Sequence, residues 1–192
     1  MYKNSIIVEN FKSIFKICPI KKIQFYNSEI TLIVQTKNIQ QILLFFKNHI
    51  QCQYKILTCI SGVDFPESLY RFVIVYDLLS VRYNTRLRIK IFTFELGDVN
   101  SIISIFSAAG WFESEIWDMF GVFFKSHKNL KRILTDYGFQ GYPLRKDFPL
   151  SGYIEMRYNE TQKRVINESM ELSQEYRTYY FNSPWGKRRN FI

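Results

Sequence analysis

RFVIVYDLLSVRYNTRLRIKI, residues 71–91, is the stretch on which the fold turns. Its first part, Arg71–Leu79, is a largely apolar run, the pattern of a strand covered on at least one face. Its last part alternates strictly: Leu87, Ile89 and Ile91 point one way, and Arg86, Arg88 and Lys90 the other. That period of two belongs to a half-exposed antiparallel strand. The link Val81–Thr85, containing Tyr83-Asn84, makes the two a hairpin. One face of the pair is oily and must be covered.

The flanking sequence supplies the cover. Tyr54–Ile60 reads as a third strand, again largely apolar. Ahead of it Ile39, Ile42, Leu43, Phe46 and Ile50 recur at helical spacing, with Asn38 placed to cap the helix and His49 at its C-terminal end. Lys22–Tyr26 and Ile30–Gln35 read as a strand pair turning through Asn27-Ser28. Asn4 to about Ile17 reads as a short amphipathic helix ended by Pro19. On the other side, Asn100 or Ser101 caps a helical region that reaches Phe120 and closes at Gly121. Residues 1–122 therefore read as an α+β domain: a mixed, mainly antiparallel sheet with helices on one face.

Residues 123–192 follow another pattern. Periodicity is weak, and Pro143, Pro149, Pro184, Gly138, Gly141, Gly152 and Gly186 interrupt the segment. So long a structureless stretch does not suit a compact domain. Its aromatic content, from Tyr137 and Phe139 to Trp185, does not suit a disordered tail either. The expectation is a long extended C-terminal arm that buries its rings in the grooves of a partner protein. Ordering such an arm costs on the order of 1–2 kcal/mol per residue in backbone entropy, so only a large interface can hold it. Asp136, Arg145, Lys146 and Asp147 are its expected ion-pairing residues, and Tyr137, Phe139, Phe148 and Trp185 its apolar anchors. On this reading, substituting Arg145 impairs assembly and leaves the isolated domain folded.

Composition narrows the chemistry. The net charge of +9 fits RNA, an anionic membrane surface or an acidic protein. An aromatic fraction of 18% exceeds what one modest core needs and points to an interface. Cys18, Cys52 and Cys59 form no C-x-x-C pair; they read as buried free thiols, and neither a zinc site nor an iron–sulfur cluster is expected. The first sixteen residues carry no apolar h-region and no Arg, unlike a secretory signal or transit peptide. The longest uncharged stretch, Val99–Phe112, is too short and polar to span a bilayer. No phosphate-binding glycine motif occurs, so nucleotide binding is not indicated.

Glu113, Glu115 and Asp118 form the one dense acidic cluster. Positions two apart on a helix diverge, so Glu113 and Glu115 cannot bracket a substrate; Glu115 and Asp118 could share a face. With no His, Cys or Ser partner in support, these acids read as ion-pair partners for basic groups of the tail or of another protein. Residues 125–149 hold six Lys or Arg against two Asp. A nucleic-acid site would use such a patch, but no RNA-recognition aromatic motif accompanies it. An organelle RNA-binding or ribosomal protein is the alternative reading, and a hydrolase using Glu115 and Asp118 a distant third.

The block Trp111–Arg157, WFESEIWDMFGVFFKSHKNLKRILTDYGFQGYPLRKDFPLSGYIEMR, resembles the 30-kDa-type subunit family of respiratory complex I, as do YRFVIVYDLLSVRYNTRLRIK upstream and QEYRTYYFNSPW downstream. The likeness spans about Gly62 to Trp185. Two positions depart from the family pattern: Ser114 stands where E-R-E has Arg, and Tyr142 where G-H-P-L-R-K-D-F-P has His. The Tyr speaks against a metal or proton-transfer role there. The resemblance implies a structural subunit of the peripheral arm, on the matrix side of the mitochondrial inner membrane, with no flavin or iron–sulfur cluster of its own. It further implies packing against the 49-kDa-type quinone-site subunit, proximity to the terminal-cluster subunit, no nucleic acid, and membrane contact only through the complex. Heavy use of Phe, Ile, Lys, Asn and Tyr, which AT-rich codons favour, agrees with an organelle gene.

Overall fold

A computed structural model describes residues 18–27 and 29–181. The amphipathic helix expected over residues 4–17 and the anchor Trp185 lie outside the described residues. Five strands form the main sheet: β1 (Ile20–Tyr26), β2 (Glu29–Val34), β3 (Ile56–Asp64), β4 (Phe72–Ser80) and β5 (Thr85–Thr93), in the order β1-β2-β5-β4-β3. Only β2 and β5 run parallel; the other neighbours are antiparallel. The class is the mixed, mainly antiparallel α+β expected.

The strict alternation of β5 explains the core. Its register sets Leu87 between Ile30 and Leu78, Ile89 between Leu32 and Tyr76, and Ile91 between Val34 and Ile74. These nine side chains form three apolar rows across three strands, each at most 7% exposed. Helix α1 (Ile39–Asn48) and helix α2 (Ala109–Phe120) cover them, through Ile39, Ile42, Leu43 and Phe46 on the first and Ala109, Ile116, Met119 and Phe120 on the second. Ile50, beyond the end of α1, is exposed. Helix α2 packs on β3 so closely that a Cβ at Gly62 would meet the Phe120 ring at 2.8 Å.

Some ends differ from expectation. A single 3-10 turn, Thr36–Asn38, leads into α1, and the Asn38 side chain caps nothing because its backbone (φ −98°, ψ 0°) is already turning. His49 is half-buried against Phe45, with ring centroids 4.8 Å apart. Helix α2 starts at Ala109, eight residues later than Ser101; Asn100 belongs to the short strand β6 (Asp98–Asn100). Gly121 does close α2, at φ +78°. Of the three free thiols only Cys52 is buried, and burial pushes its pKa up to about 11; Cys18 and Cys59 are half-buried.

The largest correction concerns residues 123–149. They do not extend away from the domain. Strand β7 (Phe123–Lys125) pairs in parallel with β6, and Val122 and Phe124 are buried. The Leu144 amide donates to Met119 O at 3.1 Å. The chain divides into two compact units between Pro149 and Leu150, not at 122. What looked structureless is irregular backbone whose polar groups are satisfied by side chains rather than by a ladder.

Ile89 sits at the middle of the apolar rows with 0% exposure. Ile89→Ala is expected to lower unfolding free energy by about 2–5 kcal/mol in urea denaturation; a loss under about 1 kcal/mol would contradict the assigned register.

Candidate assembly surface and the charge network beneath it

Strand β3 ends at Asp64, and β4 starts opposite it at Phe72. Arg71, just before β4, thus lies beside Asp64 and grips it with both ends of its fork: Nε to Oδ1 at 2.9 Å and Nη2 to Oδ2 at 3.2 Å. The same guanidinium reaches Glu95 at 3.1 Å and Asp147 at 2.9 Å. The Lys146 backbone N–H donates to Asp64 Oδ2 at 2.9 Å. Arg145 pairs with Glu95 at 2.8 Å and donates from Nε to Phe120 O at 2.7 Å. Its guanidinium lies 5.1 Å from the Phe72 ring and 4.5 Å from the Tyr142 ring. Burial alone would raise the pKa of Asp64. The Arg71 hydrogen bonds, the Lys146 amide and the charges of Arg71 and Arg145 outweigh that and hold its carboxyl below the usual range.

The acids on α2 work the same way. Asp118, fully buried, accepts the N–H groups of Ile133 (3.1 Å), Leu134 (2.7 Å) and Thr135 (2.9 Å) on one oxygen. Its other oxygen takes the Thr135 hydroxyl at 2.6 Å and stands 3.4 Å from Arg132. Burial would raise this pKa too, but the Thr135 hydroxyl and the three amides hold it below the usual carboxylate range. Glu113, also fully buried, accepts the Ile102 N–H at 2.8 Å and the Ser101 hydroxyl at 2.6 Å, with His127 Nε2 at 3.8 Å. Here burial wins, and the pKa is raised despite the Ile102 amide, Ser101 and His127. The Ser114 hydroxyl donates to Gly110 O at 2.9 Å.

The expected site residues therefore separate. Glu113 and Asp118 cannot meet a partner or bracket a substrate, because both are enclosed and engaged by the chain's own groups. Glu115 is exposed, so it shares no face with Asp118. Arg145, Asp147 and the Lys146 amide hold residues 142–148 to the sheet end, so replacing Arg145 would disturb the domain itself. Lys146 also sets its ammonium 5.8 Å from the Phe65 ring. Phe139 and Phe148 are half-buried against each other, with centroids 6.0 Å apart. Asp136 is exposed and binds the Tyr137 amide at 2.7 Å, while Tyr137 is fully exposed. Tyr142 packs on Trp117 at 6.1 Å and takes Arg132 and Arg145 on its ring, at 5.0 and 4.5 Å. Sequence reasoning missed Asp64, Arg71 and Glu95. An acid and a base at opposite ends of the loop joining two apolar strands was the signal available.

The second unit has a different surface. Strands β8 (Ile154–Asn159) and β9 (Arg164–Ser169) form an antiparallel hairpin. Ile154, Met156 and Tyr158 lie on one face with Val165 opposite Tyr158, and all four are 57–62% exposed. The other face carries the Arg157–Glu168 ion pair. Among the described residues no group of His, Cys, Asp and Glu could hold a metal, and no helix is long and apolar enough to cross a membrane.

Fold and site together define an α+β chain whose buried acids organise its own backbone and whose C-terminal hairpin presents an apolar face. Residues 32–154 match the family model described as respiratory-chain NADH dehydrogenase, 30 Kd subunit. The chain is 51% identical over 185 residues to NADH-ubiquinone oxidoreductase subunit 9 of Reclinomonas americana, covering 95% of this chain and 91% of that one. It is 51% identical over 153 residues to NADH dehydrogenase [ubiquinone] iron-sulfur protein 3 of Solanum tuberosum, covering 80% of each. A chain in the structure of the membrane-bound sulfane sulfur reductase, an archaeal respiratory membrane complex, superposes with a TM-score of 0.67 over 88% of this chain and 97% of that one; at 23% identity this shows the shared fold. The chain belongs to the 30-kDa subunit family of the respiratory-chain NADH dehydrogenase.

Two measurements test the network. Arg71→Ala leaves the buried Asp64 carboxylate without its main partner, and urea denaturation is expected to show a loss of about 3–5 kcal/mol; a surface-like loss below about 1 kcal/mol would contradict the pairing. The pH dependence has two components of opposite sign. Asp64 and Asp118, depressed, contribute stability above their unfolded pKa of about 3.9, lost as pH falls through their folded values. Glu113, raised, favours the fold below its unfolded pKa of about 4.3 and gives that up as pH rises through its folded value. Glu113→Gln should flatten the fall of stability between those two Glu113 pKa values; a profile parallel to the parent would refute the assignment.

Proposed function

We propose that this chain is a non-catalytic structural subunit of the peripheral arm of respiratory complex I, on the matrix side of the mitochondrial inner membrane. It supports the quinone-site module for electron transfer from NADH to ubiquinone, the chemistry being carried by other subunits. Its neighbours are the 49-kDa-type quinone-site subunit and the terminal-cluster subunit, it binds no nucleic acid, and it meets the membrane only through the complex.

The observation that carries this reading is the hairpin β8–β9. A two-stranded ribbon is marginal in water unless something covers an apolar face, and here Ile154, Met156, Tyr158 and Val165 are exposed together. Residues 170–181 add Leu172, Tyr176, Tyr179, Tyr180 and Phe181, all more than 60% exposed. Rings on extended backbone suit the grooves of another protein. The first unit complements this as a rigid base, with its polar backbone satisfied internally. Family membership makes the assembly in question the NADH dehydrogenase.

Met156→Asp places a charge on the hairpin's apolar face and leaves the core of the first unit untouched. On native gels the amount of this chain co-migrating with NADH–ubiquinone oxidoreductase activity is expected to fall at least about tenfold, equivalent to about 1.4 kcal/mol of interface energy. Parental incorporation of the variant would overturn the role given to the hairpin.

A further inference from the structure

The first unit also carries an open groove of about 1020 Å³ at the end of the sheet, whose lining includes Tyr70 and Phe94, the chain neighbours of Arg71 and Glu95. Its volume is at the upper limit of the roughly 300–1,000 Å³ of small-ligand pockets and it is open to solvent, so it has room for a polypeptide segment. Four lysines line it, Lys21, Lys22, Lys37 and Lys125, against a single acid, Asp98. Asp98 lies 3.9 Å from Lys125, while the other three lysines form no ion pair among the described residues.

Their placement is built into the strand. The β1–β2 register slips between Ile20 and Lys22, so Lys21 is the extra residue of a bulge. Neighbours on a regular strand point to opposite faces; a bulge redirects the chain and lets both lysines line one groove. Aromatic rings share the lining: Phe92, 37% exposed, and Phe94, 47% exposed and tilted against Tyr70 with centroids 4.5 Å apart.

We propose that this groove receives an acidic segment of a neighbouring protein chain, with carboxylates against Lys21, Lys22 and Lys37 and an apolar side chain against Phe92 and Phe94. The sign of the charge decides the occupant. Residues 1–17 of this chain carry Lys3, Lys12 and Lys16 against Glu9, and residues 182–192 carry Lys187, Arg188 and Arg189 with no acid. Neither terminus complements a lysine-lined groove; a second copy, with the same basic face, does not either. Aromatic rings interleaved with positive charge also suit single-stranded RNA, but a family of respiratory-enzyme subunits makes protein the occupant. The inference deepens the scaffold reading and rests on it.

The test uses the intact assembly. Amine acetylation followed by peptide mass spectrometry compares Lys21, Lys22 and Lys37 in the assembled complex and in the isolated chain. A zero-length carbodiimide cross-linker, which joins amines to adjacent carboxylates, identifies what faces them. The expected result is protection of these lysines on assembly and cross-links to Asp or Glu of one neighbouring subunit. In the Lys22→Glu, Lys37→Glu double variant the remaining Lys21 should lose its protection and its cross-links at least about tenfold with an unchanged circular dichroism spectrum, since like charges across an interface repel, and in the Lys→Arg pair, which keeps the charge, Lys21 should keep both. Lysines as reactive in the complex as in the isolated chain would overturn the groove alone, as would protection abolished by nuclease or by lipid extraction. Absence of the chain from the dehydrogenase assembly would sink the scaffold reading, and this inference with it.

Discussion

Asp64 is the point against which the irregular half of the first unit closes. It ends β3, is 1% exposed at its side chain, and accepts from Arg71 and from the Lys146 backbone. A carboxylate so enclosed is tolerable only when its charge and lone pairs are met. That requirement fixes Arg71 at the head of β4, and Arg71 in turn orients Glu95 and Asp147. Arg145, bound to Glu95 and to the last carbonyl of α2, completes a circuit joining β3, β4, the chain beyond β5, α2 and residues 142–148. Asp118 performs the matching task for residues 132–135.

This arrangement explains how a stretch without helix or strand periodicity is nonetheless ordered. Backbone amides that a ladder would satisfy are satisfied by carboxylates, and the rings of Tyr142, Phe139 and Phe148 pack among arginines and other rings. Two buried acids on one helix, Glu113 and Asp118, hold loops on either side of it. Carboxylates used in this way are enclosed by the chain's own groups and are not open to a substrate.

The sheet was legible because its signal is local. Period-two alternation at Arg86–Ile91, the hairpin link and the helical spacing of Ile39–Phe46 each depend on residues close in sequence, and each element appears where it was read, within two residues for most strand ends. The start of α2 was misread because Asn100 and Ser101 look like caps, whereas Asn100 extends a short strand and Ser101 serves Glu113 from a distance in sequence. Residues 123–149 were misread for a deeper reason. Their order comes from contacts such as Lys146 to Asp64, 82 positions apart, and nothing in local composition announces them. Abundant Gly, Pro and aromatic residues describe an arm and a side-chain-stapled loop equally well. The acidic cluster was read as ion-pairing groups, whereas Glu113 and Asp118 chiefly accept backbone amides and hydroxyls and Glu115 is exposed, an outcome that required the fold.

The division therefore falls at Pro149: first a unit whose irregular backbone is held by its own carboxylates, then a hairpin and tail whose exposed apolar side chains are the surface proposed to meet a neighbour. Hydrogen–deuterium exchange over residues 123–181, in the isolated chain and in the respiratory assembly, tests it directly. Amides of 123–149 are expected to be protected in both states, while those of 150–181 exchange rapidly alone and slow strongly on assembly. Equal protection of 150–181 in the two states would contradict it.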